Sequence, residues 1–196
     1  MNIVTQISGN IHPGNTALSA LKSMLTLIGI HVTHPSRDES LFYETDSHAA
    51  WRHYDNELAF YSSIAHSPFH IIYNDGAIDE EIGLQVAYAM LKNRPILMTG
   101  APALSADLSL FLRDIITKHL HSIHSVNLPN LELTELSRLL AKLKTTNYSL
   151  SKNEKVLINA QVKTRFRNLL EEAKQLRLAR AQSPLQPVGE NELRSA

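Results

Sequence analysis

The chain has 196 residues and a formal net charge of zero, with 19 basic and 19 acidic side chains. That balance is atypical of a dedicated nucleic-acid binder, which usually carries a basic face. The absence of cysteine excludes disulfides, a thiolate nucleophile and zinc–thiolate sites. No apolar run reaches the ~18 residues that a membrane span requires, and residues 1–8 lack the features of a signal peptide. We therefore expect a cytoplasmic protein with neither a nucleic-acid nor a membrane partner.

Short apolar runs alternate with amphipathic stretches along the first 127 residues. The predicted strands are Asn2–Ser8, Ile30–Thr33, Phe69–Tyr73, Ile96–Thr99 and Ser122–Val126. The predicted helices are Ala17–Leu27, 51–65, Asp79–Lys92 and Ser105–Leu120. The predicted apolar face of the helix at 51–65 consists of Leu58, Tyr61 and Ile64. This alternation predicts an α/β fold with a five-stranded, mainly parallel sheet covered by helices on both faces. A flavodoxin-like or Rossmann-like strand order is the first choice.

Two further helices are predicted beyond residue 127, at Glu132–Lys144 and about Lys152–Arg180. The second carries apolar residues at spacings of 4, 3, 4 and 3, which is typical of a seam against another helix: Val162, Phe166, Leu169, Ala173 and Leu176. The seam packs either on the chain's own domain or on a second copy, which would form a homodimer. We expect an α/β domain at 1–127, a helical extension at 128–182 and a polar tail at 183–196.

Charge is distributed unevenly along the chain. The segment from Asp38 to Glu81 has ten acidic residues and one basic residue, whereas the segment from Lys152 to Arg180 has eight basic and three acidic residues. The two segments could attract each other within the chain or between subunits. The alternative is that each forms a solvated face.

The densest group of candidate functional side chains lies between a predicted strand and the helix after it. Asn74, Asp75 and Gly76 follow the strand, and Asp79, Glu80 and Glu81 begin the helix. Ligands of open parallel sheets bind at the carboxyl ends of strands. Helix capping, worth roughly 0.3–1 kcal/mol per carboxylate, explains Asp79 and Glu80 well and the whole cluster less well. Glu81 is therefore the candidate functional carboxylate, with Gln85 four residues later on the same helical face.

The loop Gly9–Asn15, GNIHPGN, lies between the first strand and the first helix. Backbone N–H groups in such a loop suit a phosphate or a ribose hydroxyl, although a plain turn is the alternative. The candidate substrate-binding residues in this loop and in the turn after the third strand are Ser8, Gly9, Asn10, Ile11, Gly14, Asn74 and Gly76. The histidines of HLHSIH, at 119–124, lack a metal-binding spacing on one element, so no metal is expected.

Taken together, these motifs resemble the nucleoside 2-deoxyribosyltransferase superfamily, which includes the 2′-deoxynucleoside 5′-monophosphate N-glycosidases. The similar segments are ISGNIHPGN, GIHVTHP, and FHIIYNDG with the acidic helix and NRPILMTG after it, within residues 2–101. The resemblance implies a Rossmann-like domain that acts on a small nucleoside or nucleotide without a cofactor. It also implies that a glutamate on the helix after the third strand is the nucleophile or acid.

Two positions in this chain compete for that glutamate. The Glu-Ile-Gly match gives Glu81, whereas counting ten residues back from Pro95 gives Gln85. An amide cannot form a stable glycosyl ester, so the second register implies a binding protein without turnover. Gln6 stands where the family often has a tyrosine. Asp75 is the nearest counterpart of the family's supporting aspartate, with Asp55 as the alternative, and this group would orient Glu81 or assist proton transfer to the base.

Overall fold

A computed structural model describes residues 3–9, 16–33, 55, 57–59, 61–62, 64–74, 76–100, 103–128 and 131–182. The strands are β1 (Ile3–Gly9), β2 (Ile30–Thr33), β3 (His70–Tyr73), β4 (Ile96–Thr99) and β5 (Ile123–Val126). The helices are α1 (Thr16–Leu27), α2 (Glu80–Leu91), α3 (Leu110–His119), α4 (Leu133–Leu143) and α5 (Lys152–Gln182), with a 3-10 turn at Leu120–Ser122. Helical residues also occur at 55, 57–59, 61–62 and 64–66, and we call them the pre-β3 segment.

The strands form one sheet in the order β2-β1-β3-β4-β5, and all neighbouring pairs are parallel. The predicted α/β fold with a parallel sheet is therefore confirmed. The sheet winds in opposite directions on the two sides of the β1–β3 pair, where Gly9 lies opposite Tyr73. A strand order that reverses in this way leaves a crevice at the carboxyl ends of the two central strands.

Alternate residues of the central strands point to opposite faces of the sheet, and each face has its own apolar core. Ile72 and Met98 belong to the core that contains α2, α3 and the buried residues of α5. Ile71 and Leu97 belong to the core that contains α1 and α4. Helices thus cover both faces, and α4 and α5 pack on opposite sides of the same sheet.

The apolar seam of α5 packs against its own chain. Val162 is buried in the core of α2, and Phe166 packs against that core while half-buried. Leu169 and Ala173 are buried as well. The homodimer alternative and the domain division at residue 127 remain predictions.

Two local predictions were wrong. Leu58 is 48% exposed, whereas Tyr61 and Ile64 are buried, because the buried face of the pre-β3 segment includes the neighbouring Glu57 instead. The helix predicted from Ser105 begins at Leu110, because the Ser105 N–H donates to the Ile78 carbonyl at 3.0 Å. This hydrogen bond extends a parallel bridge between Ile78 and Leu104 and keeps the backbone there extended.

Candidate functional site

The carboxylates at the start of α2 have different tasks. Asp79 is the N-cap, and its Oδ1 accepts a hydrogen bond from the Ile82 N–H at 2.9 Å. Glu80 accepts from the Ser109 N–H at 2.8 Å, at the N-cap of α3. Both groups satisfy N–H donors that a helix start leaves without an intrahelical partner. Capping therefore accounts for Asp79 and Glu80 and leaves Glu81 to be explained.

The loop before α3 is held against this end of α2. The Ile78 N–H donates to the Ala103 carbonyl at 2.7 Å. The Arg113 guanidinium reaches back from α3 and donates to the Ser105 carbonyl at 2.8 Å. These contacts bring Ser105 and Asp107 beside the acidic start of α2.

A cavity of about 360 Å³ opens at this place. Its size lies within the usual range for small-molecule sites, about 300–1,000 Å³. The described residues that line it come from the pre-β3 segment, the start of α2, the loop before α3, and α5: Tyr61, Asp79, Glu80, Glu81, Leu84, Ser105, Asp107 and Arg165. The cavity thus combines four carboxylates with one guanidinium and an aromatic ring at the amino end of the helix after β3.

One guanidinium nitrogen contacts two carboxylates in this site. Arg165 Nη2 lies 3.3 Å from Glu81 Oε2 and 3.8 Å from Glu57 Oε1. The Glu81 side chain is 48% exposed, whereas that of Glu57 is only 2% exposed. Arg165 therefore joins a buried carboxylate and a solvent-facing carboxylate that lie on different elements.

Burial changes the pKa of two groups of the pre-β3 segment, Glu57 and Tyr61. It is the main cause that raises the pKa of Glu57 to about 7, and the neighbouring Glu81 charge adds to the rise while Arg165 opposes it. Burial, followed by the Glu57 charge, also raises the pKa of the Tyr61 phenol. A neutral Glu57 and an ionised Glu57 are consequently both accessible near neutral pH, while the Tyr61 phenol stays protonated.

Three aromatic rings pack together beside the cavity. The Tyr61 ring lies edge-on to Tyr88 at 4.9 Å between centroids and to Phe166 at 5.2 Å. Such edge-to-face pairs hold the rings at defined angles. Phe166 and Arg165 are consecutive residues of α5, so the packing of that helix also places the guanidinium.

Of the predicted catalytic residues, Glu81 lines the cavity. Gln85, one turn later, is 1% exposed and is not among the described residues that line it. Within the described part of the chain its Oε1 has no hydrogen-bond partner. Asp75 lies outside the described residues.

The predicted substrate-binding residues that the structure describes lie at the carboxyl ends of β1 and β3. Ser8 and Gly9 end β1, whereas Asn10, Ile11 and Gly14 lie outside the described residues. Asn74 is buried, and its Nδ2 donates to the Gly76 carbonyl at 2.8 Å, so it shapes the turn after β3. Neither Asn74 nor Gly76 is among the described residues that line the cavity.

The sequence did not single out Glu57 or Arg165 for this site. Two signals pointed towards them: the opposite charge of their segments, and the seam of α5 that contains Phe166. In the described ranges no cluster of three His, Asp or Glu side chains could hold a metal ion. No helix among the described residues is long and apolar enough to cross a membrane.

Fold and site together define an α/β protein with a carboxylate-lined cavity beside a parallel sheet. No family model and no curated protein matches the chain. Among solved structures, it is similar to the CMP N-glycosidase BcmB of Clostridium botulinum, with a TM-score of 0.39 and 11% identity. The similar region covers 70% of this chain and 97% of that chain. A likeness of this size assigns neither substrate nor catalytic residue.

Proposed function

We propose that this chain cleaves the N-glycosidic bond of a small nucleoside or nucleotide, or transfers its sugar, with Glu81 as the nucleophile. The observation that carries the proposal is the position of Glu81. It lies at the amino end of the helix after β3, and its carboxylate lines a cavity of about 360 Å³. The motif resemblance over residues 2–101 supports the substrate class.

The chemistry requires one carboxylate that reaches the anomeric carbon. The Glu81 carboxylate attacks C1′, the C1′–N bond breaks, and its electron pair leaves with the base, which takes up a proton. Water then attacks C1′ of the glycosyl ester, loses a proton, and restores the Glu81 carboxylate. The net result is the addition of water across the C1′–N bond, and a second base in place of water gives transfer.

The rest of the cavity wall suits the two halves of such a substrate. Tyr61 and Leu84 offer apolar surface to a base, and the carboxylates of Asp79 and Asp107 can accept hydrogen bonds from sugar hydroxyls. Asp75 stays the predicted group that orients Glu81 or assists proton transfer to the base. The Gly9–Asn15 loop stays the predicted holder of the sugar or its phosphate.

The test is base release from deoxynucleosides and their 5′-monophosphates, followed by chromatography of the free base. Glu81→Gln should lower the rate by at least about 10³-fold, because the nucleophile is lost. The matched control is Glu80→Gln, which changes the adjacent carboxylate and should keep most of the rate. Base release that survives in Glu81→Gln would contradict the assignment.

Binding without turnover is the second candidate function. It is favoured by Gln85, a 1% exposed amide whose Oε1 has no partner within the described residues, because buried polar atoms in folded proteins are normally hydrogen-bonded. Since Gln85 does not line the described cavity, a ribose hydroxyl would have to reach this buried amide from another side to supply the missing donor. In this case the wild type releases no base, while a nucleoside raises the melting temperature by mass action. Gln85→Glu would then introduce hydrolysis by supplying a carboxylate.

A further inference from the structure

Three elements meet at one guanidinium beside the proposed nucleophile. Glu57 comes from the pre-β3 segment, Glu81 from α2 and Arg165 from α5, and Nη2 of Arg165 is within 4 Å of both carboxylates, at 3.8 and 3.3 Å. Glu57 does not line the cavity, so it does not touch a ligand there. Any influence of Glu57 on the reaction therefore passes through Arg165, through its charge, or through the hydrogen bond between its carboxyl group and Glu81.

We infer that Glu57 is a positioning residue that competes with Glu81 for the Arg165 guanidinium and thereby sets the reactivity of the nucleophile. The inference rests on the proposed function of Glu81. It stands on the geometry of the shared Nη2 atom and on the burial of Glu57, whose charge has almost no access to solvent.

The competition depends on the protonation state of Glu57. Glu57 faces Glu81 on α2, Arg165 on α5 and Tyr61 on its own segment. When Glu57 is neutral, the guanidinium stays with Glu81. When Glu57 is ionised, a buried carboxylate without water attracts the same guanidinium strongly, since an isolated buried charge is costly.

Glu81 is a weaker nucleophile while it is fully ion-paired with the Arg165 guanidinium, because this ion pair must weaken as the carboxylate oxygen forms its bond to C1′. Ionisation of Glu57 draws Arg165 inward and leaves more negative charge on Glu81. Since burial raises the pKa of Glu57 to about 7, this change falls in the neutral pH range. The rate of base release should therefore rise several-fold between pH 6 and pH 8.

The experiment compares kcat for base release from pH 5.5 to 8.5 in the wild type, Glu57→Gln and Glu57→Asp. We expect Glu57→Gln to remain near the low-pH rate of the wild type, without the rise. Glu57→Asp keeps a carboxylate and should recover part of the rise. The matched control is Glu171→Gln, a glutamate whose ion-pair partner is Lys174 on the exposed side of α5, and it should keep the wild-type profile.

The outcomes separate this inference from the proposed function. If the wild type releases no base, the proposed function fails. If the wild type is active and Glu57→Gln keeps its full pH profile, the positioning role alone is overturned.

A second readout does not depend on turnover. Carboxyl-carbon NMR of the full chain follows the titration midpoint of Glu57. Glu81→Gln should lower that midpoint by releasing Arg165 and removing a like charge, and an unmoved midpoint would overturn the competition.

Discussion

The two ends of α2 differ in the charge of the polar groups around them. At the carboxyl end, neutral polar groups pair with one another: Asn93 Nδ2 donates to Asn147 at 2.9 Å, and Asn93 Oδ1 accepts from the Tyr148 N–H at 3.0 Å. The Tyr148 hydroxyl accepts in turn from the Ile96 N–H, which joins this end to β4. At the amino end, carboxylates outnumber the guanidinium that faces them, and a cavity opens between them.

This difference teaches how one helix can serve stability and function at separate places. A network of neutral hydrogen bonds satisfies buried groups at little electrostatic cost. An excess of like charge costs stability wherever the charges are poorly solvated, and it is retained where chemistry needs it. Changes at the amino end should therefore alter activity and the pH dependence of both activity and stability, whereas changes at the carboxyl end should alter stability alone.

The largest expected effect on stability is that of Glu57→Gln. The pKa of Glu57 is raised from an ordinary value of 4.5 to about 7, so the folded protein holds a proton there that the unfolded chain has released. Stability consequently falls as the pH rises from about 4.5 through 7. Glutamine has no charge to bury, and Glu57→Gln should raise the free energy of unfolding at pH 8 by up to about 3 kcal/mol.

Urea unfolding of both proteins at pH 5 and pH 8 measures this effect. The gain of Glu57→Gln over the wild type should be small at pH 5 and largest at pH 8. An equal gain at both pH values would mean that Glu57 does not titrate in this range, and the contrast between the two ends of α2 would then lose its electrostatic basis.

Tyr148→Phe tests the contribution of the carboxyl end of α2 to stability. The variant removes the hydroxyl that accepts from the buried Ile96 N–H at 3.2 Å and leaves that donor without it. An unsatisfied buried N–H costs about 1–3 kcal/mol. Chemical denaturation should show a loss of this size, while base release per folded molecule stays unchanged. A loss of activity without a loss of stability would break the proposed separation of roles.

Substitutions of Asn93 test how much its backbone conformation contributes to stability at the carboxyl end of α2. Its φ of 52° lies in the left-handed region. Asparagine tolerates this conformation better than most other non-glycine residues do. Asn93→Ala should cost about 1–2 kcal/mol through strain and the loss of both side-chain hydrogen bonds. Asn93→Gly loses the same two hydrogen bonds but carries no strain at a positive φ, so it should fall between alanine and the wild type in thermal unfolding. Equal stability of the alanine and glycine variants would show that strain contributes nothing.

The sequence predicted the parallel α/β fold because alternating apolar runs and amphipathic stretches depend on local pattern. Capping by Asp79 was also predictable, because the cap lies three residues from its donor, Ile82. The same reasoning identified the α5 seam with Val162 and Phe166, although it could not choose the surface that covers it. Packing against the core of α2 depends on tertiary contacts that no local pattern contains.

The site was only partly predictable, for a related reason. Arg165 is 84 residues from Glu81 along the chain, and only the charge imbalance between their segments hinted at the contact. Leu58 was predicted to lie on the apolar face of this segment, whereas the structure exposes Leu58 and buries the neighbouring Glu57. A buried glutamate is tolerated there because α5 brings a guanidinium to it. The roles of Asp75 and of the Gly9–Asn15 loop remain predictions.

The smallest expected effect separates the two tasks of Asp79, which is both the N-cap of α2 and a wall of the cavity. Asparagine is about as good an N-cap as aspartate, whereas alanine costs about 1 kcal/mol. Asp79→Asn should therefore lose only the few tenths of a kcal/mol that its charge gains at the helix start. Asp79→Ala should lose the cap as well.

Base release by the two variants then sharpens the comparison between the ends of α2. If the carboxylate of Asp79 accepts a hydrogen bond from the sugar, both variants should raise KM several-fold, although only Asp79→Ala is clearly destabilised in thermal unfolding. If KM rises only in the destabilised variant, the charge of Asp79 serves the helix rather than the ligand. Of the charged groups at the amino end, only Glu81 and the Arg165 guanidinium that it shares with Glu57 would then act in the reaction, since Glu80 accepts a hydrogen bond from the Ser109 N–H at the start of α3.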